Sequence, residues 1–355
     1  MAPLIKEFQK SSEGVDIKVC VSAQHREMLD QVLHFFEIQP DFDLNIMRQN
    51  QNLFDITINA LNGIREVLFH YKPDWLIVQG DTTTTFVGAL AAFYQEIKVA
   101  HIEAGLRSFN KQAPFPEEMN RVLTTHLSDL HLAPTIRAEQ NLVREGIPKD
   151  RIFVVGNTSI DALFLCLKKI SDKKYDSFAP LNSIEFDKKI ILVTGHRRES
   201  FGKPFENISH ALKSIAENGD IEIVYPVHLN PNVRKPVLRI LGNIPNVHLI
   251  EPLDYPSFVW LMNKSDIILT DSGGVQEEAP SLGKPVLVIR DVTERNEGID
   301  AGTARIVGTD TDRIVREVSD LLTDKAAYDD MAKAVNPYGD GNASKRIIGI
   351  ISKVF

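Results

Sequence analysis

The amino-acid sequence predicts an α/β protein made of two doubly wound parallel-sheet domains with a ligand-binding cleft between them. Short runs of β-branched and other apolar residues alternate with amphipathic helical stretches along nearly the whole chain. These runs are almost continuously apolar, which is typical of strands that helices cover on both faces. The length of 355 residues also suits about two domains.

The first half of the chain opens with residues 1–8, which have a helical pattern but no strand before them. We therefore expect the first domain to begin in the middle of a βα unit, with its first strand missing. The predicted strands are residues 17–22, 75–79, 99–102, 130–133 and 152–155, and the main predicted helices are residues 26–36, 53–70 and 83–94.

The second half repeats this plan after a polar stretch, residues 171–188, which is the predicted linker. A last helix, residues 343–354, follows a run of Pro and Gly and is expected to return to the first domain. The predicted domains are thus residues 1–170 with 342–355, and residues 188–335. The predicted strands of the second domain are residues 190–194, 221–226, 247–250, 267–270 and 286–289.

The composition excludes several classes of protein. With 40 basic and 48 acidic residues the net charge is −8, which argues against nucleic acid or an anionic membrane as a partner. The two cysteines, Cys20 and Cys166, have no metal-ligand spacing and suit a reducing, cytoplasmic setting. No signal-peptide pattern, dinucleotide fingerprint, Walker sequence or paired-histidine motif is present. The sequence therefore predicts chemistry without a cofactor or metal.

Three carboxylates follow predicted strands or open a predicted helix in the first domain. Asp81 comes directly after the strand 75–79, Glu103 follows the next strand, and Glu117 opens a helix that proline primes. Each has an ordinary structural explanation as a helix cap, a turn residue or a dipole partner. Because parallel strands end at one rim, we expect the three to share a pocket, where they could accept and donate protons.

The second domain contains an apolar strand that breaks into Ser272, Gly273 and Gly274 and then becomes helical. Such a turn aims free backbone N–H groups and the positive end of a helix at one point, which suits a phosphate. Glu278, about one turn further on, would then be placed to bind a ribose diol. A well-formed βα turn without a ligand explains the same residues.

Basic residues end two further strands of this domain. His196 is followed by two arginines, and Arg295 follows the strand after the Gly-Gly turn. At that rim they suit a diphosphate leaving group, although a structural His or an Arg paired with Glu199 is an open alternative. His228 is more typical of a satisfied loop histidine and is placed outside the site.

Six motifs, taken in order, make the sequence similar to the non-hydrolysing UDP-N-acetylglucosamine 2-epimerases. The resemblance runs from Met1 to the end of the chain. The motifs begin at Gln79, His101, Pro116, Thr194, Thr270 and Thr293 and read QGDTTT, HIEAGLR, PEEMNR, TGHRRES, TDSGGVQEE and TER.

This resemblance implies two Rossmann-like domains of the glycosyltransferase-B type, a homodimer, and cofactor-free interconversion of UDP-N-acetylglucosamine and UDP-N-acetylmannosamine. It implies that the C2 proton and UDP are eliminated to a 2-acetamidoglucal, and that UDP adds back after protonation from the opposite face. Matched motif by motif, the catalytic residues are Asp81, Glu103, Glu117, Arg121 and His196, and the substrate-binding residues are Ser272, Gly273, Gly274, Glu278 and Arg295.

The sequence departs from the family at its start. Members begin with a further strand and a Gly-Thr-Arg-Pro-Glu turn whose Arg and a nearby Lys reach the nucleotide, and this sequence starts immediately after them. A nucleotide-sugar-binding protein with impaired catalysis is therefore one alternative. A glycosyltransferase of the same fold and a hydrolysing epimerase are others. Some members bind a second substrate molecule as activator, and Gln24, His25, Arg26 and Arg197 lie in comparable stretches.

Overall fold

The computed structural model describes residues 1–11, 15–24, 26–48, 50–172, 181, 184–218 and 220–354. The chain divides into two compact units, Met1–Ala162 with Gly341–Phe355, and Leu163–Asp340. The boundary between the units falls within a helix, α7 (Thr158–Asp172). Most of the predicted linker, at 173–180 and 182–183, lies outside the described residues, as does His25.

The first unit alternates strands and helices. Its helices are α1 (Ala2–Ser11), α2 (Arg26–Phe35), α3 (Leu53–Tyr71), α4 (Thr83–Tyr94), α5 (Glu117–Leu127), α6 (Ile136–Arg144) and the start of α7. Its strands are β1 (Cys20–Val21), β2 (Phe42–Asp43), β3 (Trp75–Gln79), β4 (Lys98–Ile102), β5 (Leu130–Ala133) and β6 (Ile152–Val154).

Strands β3 to β6 form a four-stranded sheet in sequence order, and every neighbouring pair in it is parallel. The predicted strand 17–22 is reduced to Cys20–Val21, which pairs only with β2 in a separate parallel pair. β2 was not predicted, because two residues carry no readable alternation. The sheet is therefore built as expected, whereas the region before β3 is more irregular.

The second unit continues the α/β alternation. Its helices are the end of α7, α8 (Lys203–Asn218), α9 (Pro231–Leu241), α10 (Tyr255–Lys264), α11 (Gly273–Glu278), α12 (Asn296–Asp300), α13 (Thr311–Thr323) and α14 (Lys325–Ala332). The last helix of the chain, α15 (Ala343–Val354), belongs to the first unit. Its strands are β7 (Lys189–Thr194), β8 (Ile221–Pro226), β9 (Val247–Ile250), β10 (Ile267–Thr270), β11 (Val286–Val288) and β12 (Ala304–Ile306).

The sheet of this unit has six parallel strands in the order β9-β8-β7-β10-β11-β12. The chain thus builds outward from β7 in one direction and then outward from β10 in the other. In such doubly wound sheets, ligands bind beyond the carboxyl ends of the strands at the point where the order reverses. That point lies between β7 and β10, so the residues that follow these two strands are the first candidates for a ligand-binding site.

Local chemistry explains where several helices begin. The Asn52 side chain accepts the N–H groups of Phe54 and Asp55, and Asp55 accepts the N–H of Asn52, which makes a reciprocal capping box for α3. α6 approaches the turn after β4 so closely that a Cβ on Gly105 would lie 2.2 Å from the carbonyl oxygen of Ala138. Only glycine fits there, as the sequence suggested. Within the described parts of the chain, no helix has the length and apolar character that crossing a lipid bilayer requires.

Candidate functional site

The carboxyl ends of β3 and β4 bring two of the predicted site residues together. The N–H of Gly80 donates to the carbonyl of Ile102 at 3.0 Å, so the turns after the two strands run side by side. A Cβ on Gly80 would lie 3.7 Å from Oε2 of Glu103, so that carboxylate lies against the residue preceding Asp81. Glu103 has a φ of +66°. This left-handed conformation costs a residue other than glycine on the order of 1–3 kcal/mol.

Asp81 is held by helix α5. Arg121 of that helix forms a hydrogen-bonded ion pair with the Asp81 carboxylate, and Nδ2 of Asn120 donates to the Asp81 carbonyl at 2.9 Å. Glu117 is the first residue of α5 and lies four residues before Arg121, so both project from one face of the helix. No hydrogen bond or ion pair to the Glu117 carboxylate is found among the described residues. This carboxylate is half-buried and uncommitted.

Glu118, which sequence reasoning passed over, is the buried acid of this helix. Its side chain accepts the backbone N–H of Ser108 at 3.0 Å and of Phe109 at 2.9 Å, and it lies 3.2 Å from a guanidinium nitrogen of Arg121. Because it is only 3% exposed, Glu118 fixes both the loop before α5 and the arginine that reaches Asp81. The only sequence signal was its spacing of three residues from Arg121.

A buried histidine lies behind Asp81. Nε2 of His101 is 2.8 Å from the Gly80 carbonyl, which can only accept, so this nitrogen carries a proton. Desolvation by burial lowers the pKa of His101 to about 4, so the ring is neutral at neutral pH. The neutral ring supports the backbone turn that presents Asp81 without adding a charge to the site.

In the second unit, Asp271 ties the ends of β7 and β10 together at the reversal of strand order. Its side chain is 1% exposed, and its Oδ2 accepts the N–H of His196 at 2.7 Å and of Arg197 at 2.8 Å. Nδ1 of His196 lies 3.2 Å from the other oxygen, Oδ1. Sequence reasoning missed Asp271, because a carboxylate between Thr and Ser reads as a turn former.

The His196 ring is partly exposed and stacks on a second imidazole. The centroids of the His196 and His228 rings are 5.7 Å apart, with 20° between their planes. His228 follows β8, the neighbour of β7, and its Nδ1 accepts the N–H of Asn230 at 3.1 Å. The sequence placed His228 outside the site, and the structure instead packs it against His196. Strand order supplies the missing signal, since both residues follow adjacent strands.

The Gly-Gly turn begins helix α11 with an open backbone. Gly274 is exposed, and a Cβ added to it would meet nothing within 4 Å. Gly273 is different, because a Cβ there would lie 3.1 Å from Cζ of Arg295. Ser272 precedes the helix in an extended conformation and makes no capping hydrogen bond with its hydroxyl. The N–H of Ser272 donates to the Thr270 hydroxyl at 2.9 Å, whereas the N–H groups of Gly273 and Gly274 find no partner in the described part of the chain and are left for a ligand.

Arg295 is fixed over this turn by carboxylates. Its Nε donates to Glu277 at 2.8 Å, and a second guanidinium nitrogen lies 3.3 Å from Glu294. Burial alone would raise the pKa of Glu294, but the charges of Arg295 and Arg290 lower it, so this carboxylate stays ionised. The sequence anticipated the arginine and left Glu277 as an ordinary helix residue.

Glu278 has the opposite character. Burial, together with the charge of neighbouring Glu277, raises the pKa of Glu278 to about 8. At neutral pH it is largely protonated and can donate as well as accept a hydrogen bond, which a ribose diol can use. No cluster of three or more His, Cys, Asp or Glu side chains suited to a metal ion is found in the described part of the chain.

The chain is similar to known proteins over nearly its whole length. The family model for UDP-N-acetylglucosamine 2-epimerase matches residues 6–352. The UDP-N-acetylglucosamine 2-epimerase of Escherichia coli (strain K12) is 57% identical over 352 residues, which are 98% of this chain and 93% of that protein. The enzyme of the same name from Campylobacter jejuni is 53% identical over 360 residues, or 99% of this chain and 94% of that protein.

A solved structure gives the same result. The UDP-GlcNAc 2-epimerase from Neisseria meningitidis, crystallised with UDP-GlcNAc bound, is 51% identical and superimposes with a TM-score of 0.91. The match covers 99% of this chain and 96% of that one.

Proposed function

Because the chain belongs to the UDP-N-acetylglucosamine 2-epimerase family, we propose that it inverts C2 of UDP-N-acetylglucosamine to give UDP-N-acetylmannosamine, reversibly and without hydrolysis. The protein is an isomerase with a two-domain α/β fold that resembles the solved members of the family. The observation that most directly supports the chemistry is the set of carboxylates at the ends of β3 and β4 and at the start of α5.

Inversion at C2 needs a proton acceptor on one face of the sugar and a proton donor on the other. In the proposed reaction the C2 proton and UDP leave to give a 2-acetamidoglucal. A proton then adds to C2 from the opposite face, and UDP adds back to C1. Asp81, Glu103 and Glu117 are the proposed proton-handling groups, and the ion pair with Arg121 fixes the position of the Asp81 carboxylate. The uncommitted carboxylate of Glu117 suits a group that must exchange a proton.

Departure of UDP requires groups that stabilise the charge that develops on the diphosphate. His196 and Arg295 are the proposed contacts of the diphosphate, supported by the N–H groups of Gly273 and Gly274 at the start of α11. Glu278 is the proposed ribose ligand, since its raised pKa leaves a proton to donate. None of these steps calls for a redox cofactor.

A second copy of the chain is the proposed partner, and helix α3 supports this. One face of α3 packs into the core through Ile56, Ala60, Ile64 and Leu68. A second apolar stripe faces outward and carries Phe54, Ile58 and Phe69, of which Phe54 is 80% and Phe69 62% exposed. A helix that is apolar on two faces needs a second partner.

The outward face is suited to pairing with itself. Between α3 and α4 it contains a cavity of about 440 Å³, lined by Leu61, Arg65, Glu66, Phe69, Ala91, Tyr94 and Gln95. Arg65 and Glu66, the two charged residues of this lining, form an ion pair of 2.6 Å, so the lining has no net charge. A neutral patch that carries both signs can meet its own copy across a two-fold axis. The two unpaired cysteines, one exposed and one buried, support the proposed cytoplasmic location.

The experiment that tests the proposed function is isotope exchange. The protein is incubated with UDP-N-acetylglucosamine in deuterated water, and the products are followed by NMR. Deuterium at C2 of both UDP-sugars is the expected result. Free N-acetylmannosamine would instead identify a hydrolase, and binding without exchange an inactive binding protein.

Variants assign the carboxylates in the same assay. Asp81→Asn, Glu103→Gln and Glu117→Gln should each reduce exchange by at least about 100-fold while UDP still binds. Glu139→Gln, in the first turn of α6, is a matched control that should exchange like the wild type. Wild-type exchange in all three site variants would remove these residues from the mechanism.

A further inference from the structure

Two aspartates flank strand β10, one at each end, and both bond to the backbone beside β7. Before the strand, Oδ2 of Asp266 accepts the N–H of Ile190 at 2.9 Å, and Oδ1 accepts a hydrogen bond from Nζ of Lys189 at 2.7 Å. After the strand, Oδ2 of Asp271 accepts the N–H groups of His196 and Arg197. The two carboxylates thus make the same kind of backbone link, but only Asp271 faces an imidazole.

The second oxygen of Asp271 is directed at that imidazole. Oδ1 is fully buried and makes no well-formed hydrogen bond among the described residues, while Nδ1 of His196 lies 3.2 Å from it. Hydrogen bonds at catalytic groups are often poorly aligned before substrate binds and tighten in the complex. Burial would raise the pKa of Asp271, yet the bonds from His196 and from the backbone N–H groups lower it, so the carboxylate is ionised.

An ionised carboxylate can only accept hydrogen bonds, which decides how the ring is protonated. Next to Oδ1, Nδ1 of His196 must carry a proton. Nε2 is then the nitrogen that remains for a ligand, and an anionic ligand at Nε2 forms its strongest hydrogen bond when that nitrogen carries a proton as well. The His228 ring packs against the His196 ring and limits its rotation.

We propose that Asp271 is a positioning residue that holds His196 with Nδ1 protonated, so that Nε2 is presented as a cationic donor to the diphosphate of the nucleotide. This inference rests on the proposed function, because it takes the diphosphate as the ligand of His196. Its test includes a measurement on the protein without substrate, so that the two can fail separately.

The substitution Asp271→Asn gives a specific expectation. Two backbone N–H groups, from His196 and Arg197, require an acceptor, so the amide oxygen of Asn takes the place of Oδ2. The NH₂ group then faces Nδ1 of His196. The NH₂ group and a protonated Nδ1 are both donors and cannot face each other. In the variant the ring therefore carries its single proton on Nε2, and the doubly protonated ring is disfavoured. The variant thus inverts the tautomer while it keeps the backbone link.

The experiment uses protein labelled with ¹⁵N in its histidine rings, and the His196 resonances are assigned with His196→Gln. Long-range ¹H–¹⁵N spectra should show a protonated Nδ1 in the wild type and a neutral ring protonated at Nε2 in Asp271→Asn. UDP affinity, measured by calorimetry, should fall by roughly 10-fold to 100-fold, as expected when a charge-assisted hydrogen bond is lost. Combined with His196→Gln, Asp271→Asn should cause little further loss.

Asp266→Asn is the matched control, since it has the same backbone role at the other end of the strand and does not touch His196. It should leave the His196 spectrum and UDP affinity unchanged. A wild-type ring that is neutral and protonated at Nε2 overturns the proposal even if Asp271→Asn does not fold. Equal losses of UDP affinity in Asp266→Asn and Asp271→Asn, or fully additive losses with His196→Gln, also overturn it. If the wild-type protein shows the expected tautomer of His196 but no isotope exchange, the proposed function is refuted, whereas the positioning of His196 by Asp271 is still supported.

Discussion

Two adjacent glutamates at the start of α5 should respond in opposite ways to the same substitution. Glu117 makes no contact that a Gln would break among the described residues, whereas Glu118 bonds to two backbone N–H groups and to Arg121. Both changes replace one oxygen by an NH₂ group and alter neither size nor helix propensity appreciably. Any difference between the variants therefore reports on the environment of each carboxylate.

The magnitude for Glu118→Gln follows from its contacts. An amide oxygen in the place of Oε1 can still accept the N–H groups of Ser108 and Phe109, but the NH₂ group in the place of Oε2 faces the N–H of Ser108 and the guanidinium of Arg121. One charge-assisted hydrogen bond to a buried group is worth about 1.5–3 kcal/mol, and an opposed donor adds a desolvation cost. We expect a loss of roughly 2–4 kcal/mol in the free energy of unfolding. For Glu117→Gln we expect a change within about 0.5 kcal/mol, as for other uncommitted surface groups.

Urea unfolding measures the stabilities, and deuterium exchange at C2 measures catalysis. Glu117→Gln should be as stable as the wild type and nearly inactive. Glu118→Gln should be destabilised and should retain partial exchange, because it acts on Asp81 only through Arg121. Equal destabilisation of the two variants, or a neutral Glu118→Gln, would refute the roles assigned to the two carboxylates of α5.

Three further outcomes are expected. Burial lowers the pKa of His101 from 6.5 to about 4, so as the pH drops the unfolded chain takes up this proton before the folded chain does. The contribution of His101 to the free energy of unfolding should therefore fall by up to about 3 kcal/mol between pH 6.5 and pH 4. His131 adds a similar contribution, so His101→Asn should make the pH dependence of urea unfolding shallower without removing it. Gly273→Ala should push Arg295 aside by a few tenths of an ångström and weaken UDP binding several-fold, as measured by calorimetry. In the control Gly274→Ala the added Cβ meets nothing within 4 Å, so the free energy of unfolding should stay unchanged. Phe69→Asp should convert the proposed dimer to a monomer in light scattering, and an unchanged mass would exclude the α3 face as the interface.

Much of the fold could be predicted from local sequence. The strands at 75–79, 130–133, 221–226, 247–250 and 267–270, and the helices at 83–94 and 343–354, have the predicted limits. Their limits coincide with abrupt changes in residue type, such as Gly80 after β3 or the run of Pro and Gly residues before α15. β2 and β12 escaped prediction, because strands of two and three residues show no periodicity and exist only through their neighbours.

The positions of Asp81, Glu103 and His196 just after the ends of β3, β4 and β7 were predictable, because each follows an apolar run that the sequence marks as a strand. Glu118, Asp271 and His228 were not, because their roles depend on which backbone or ring approaches them from another element. A carboxylate that accepts hydrogen bonds from backbone N–H groups of another element has no recognisable pattern in the sequence around it. Strand order has to be known before such partners can be assigned.

The left-handed backbone at Glu103 has a consequence for the evolution of this protein. A glycine would occupy that conformation without strain, and Glu103→Gly should therefore recover about 1 kcal/mol in folding free energy. The same change removes the carboxyl group that the proposed mechanism uses, so selection for stability and selection for activity should favour different residues at this position. Directed-evolution libraries screened for heat resistance alone should accumulate Gly or Asn at residue 103 and lose the enzyme.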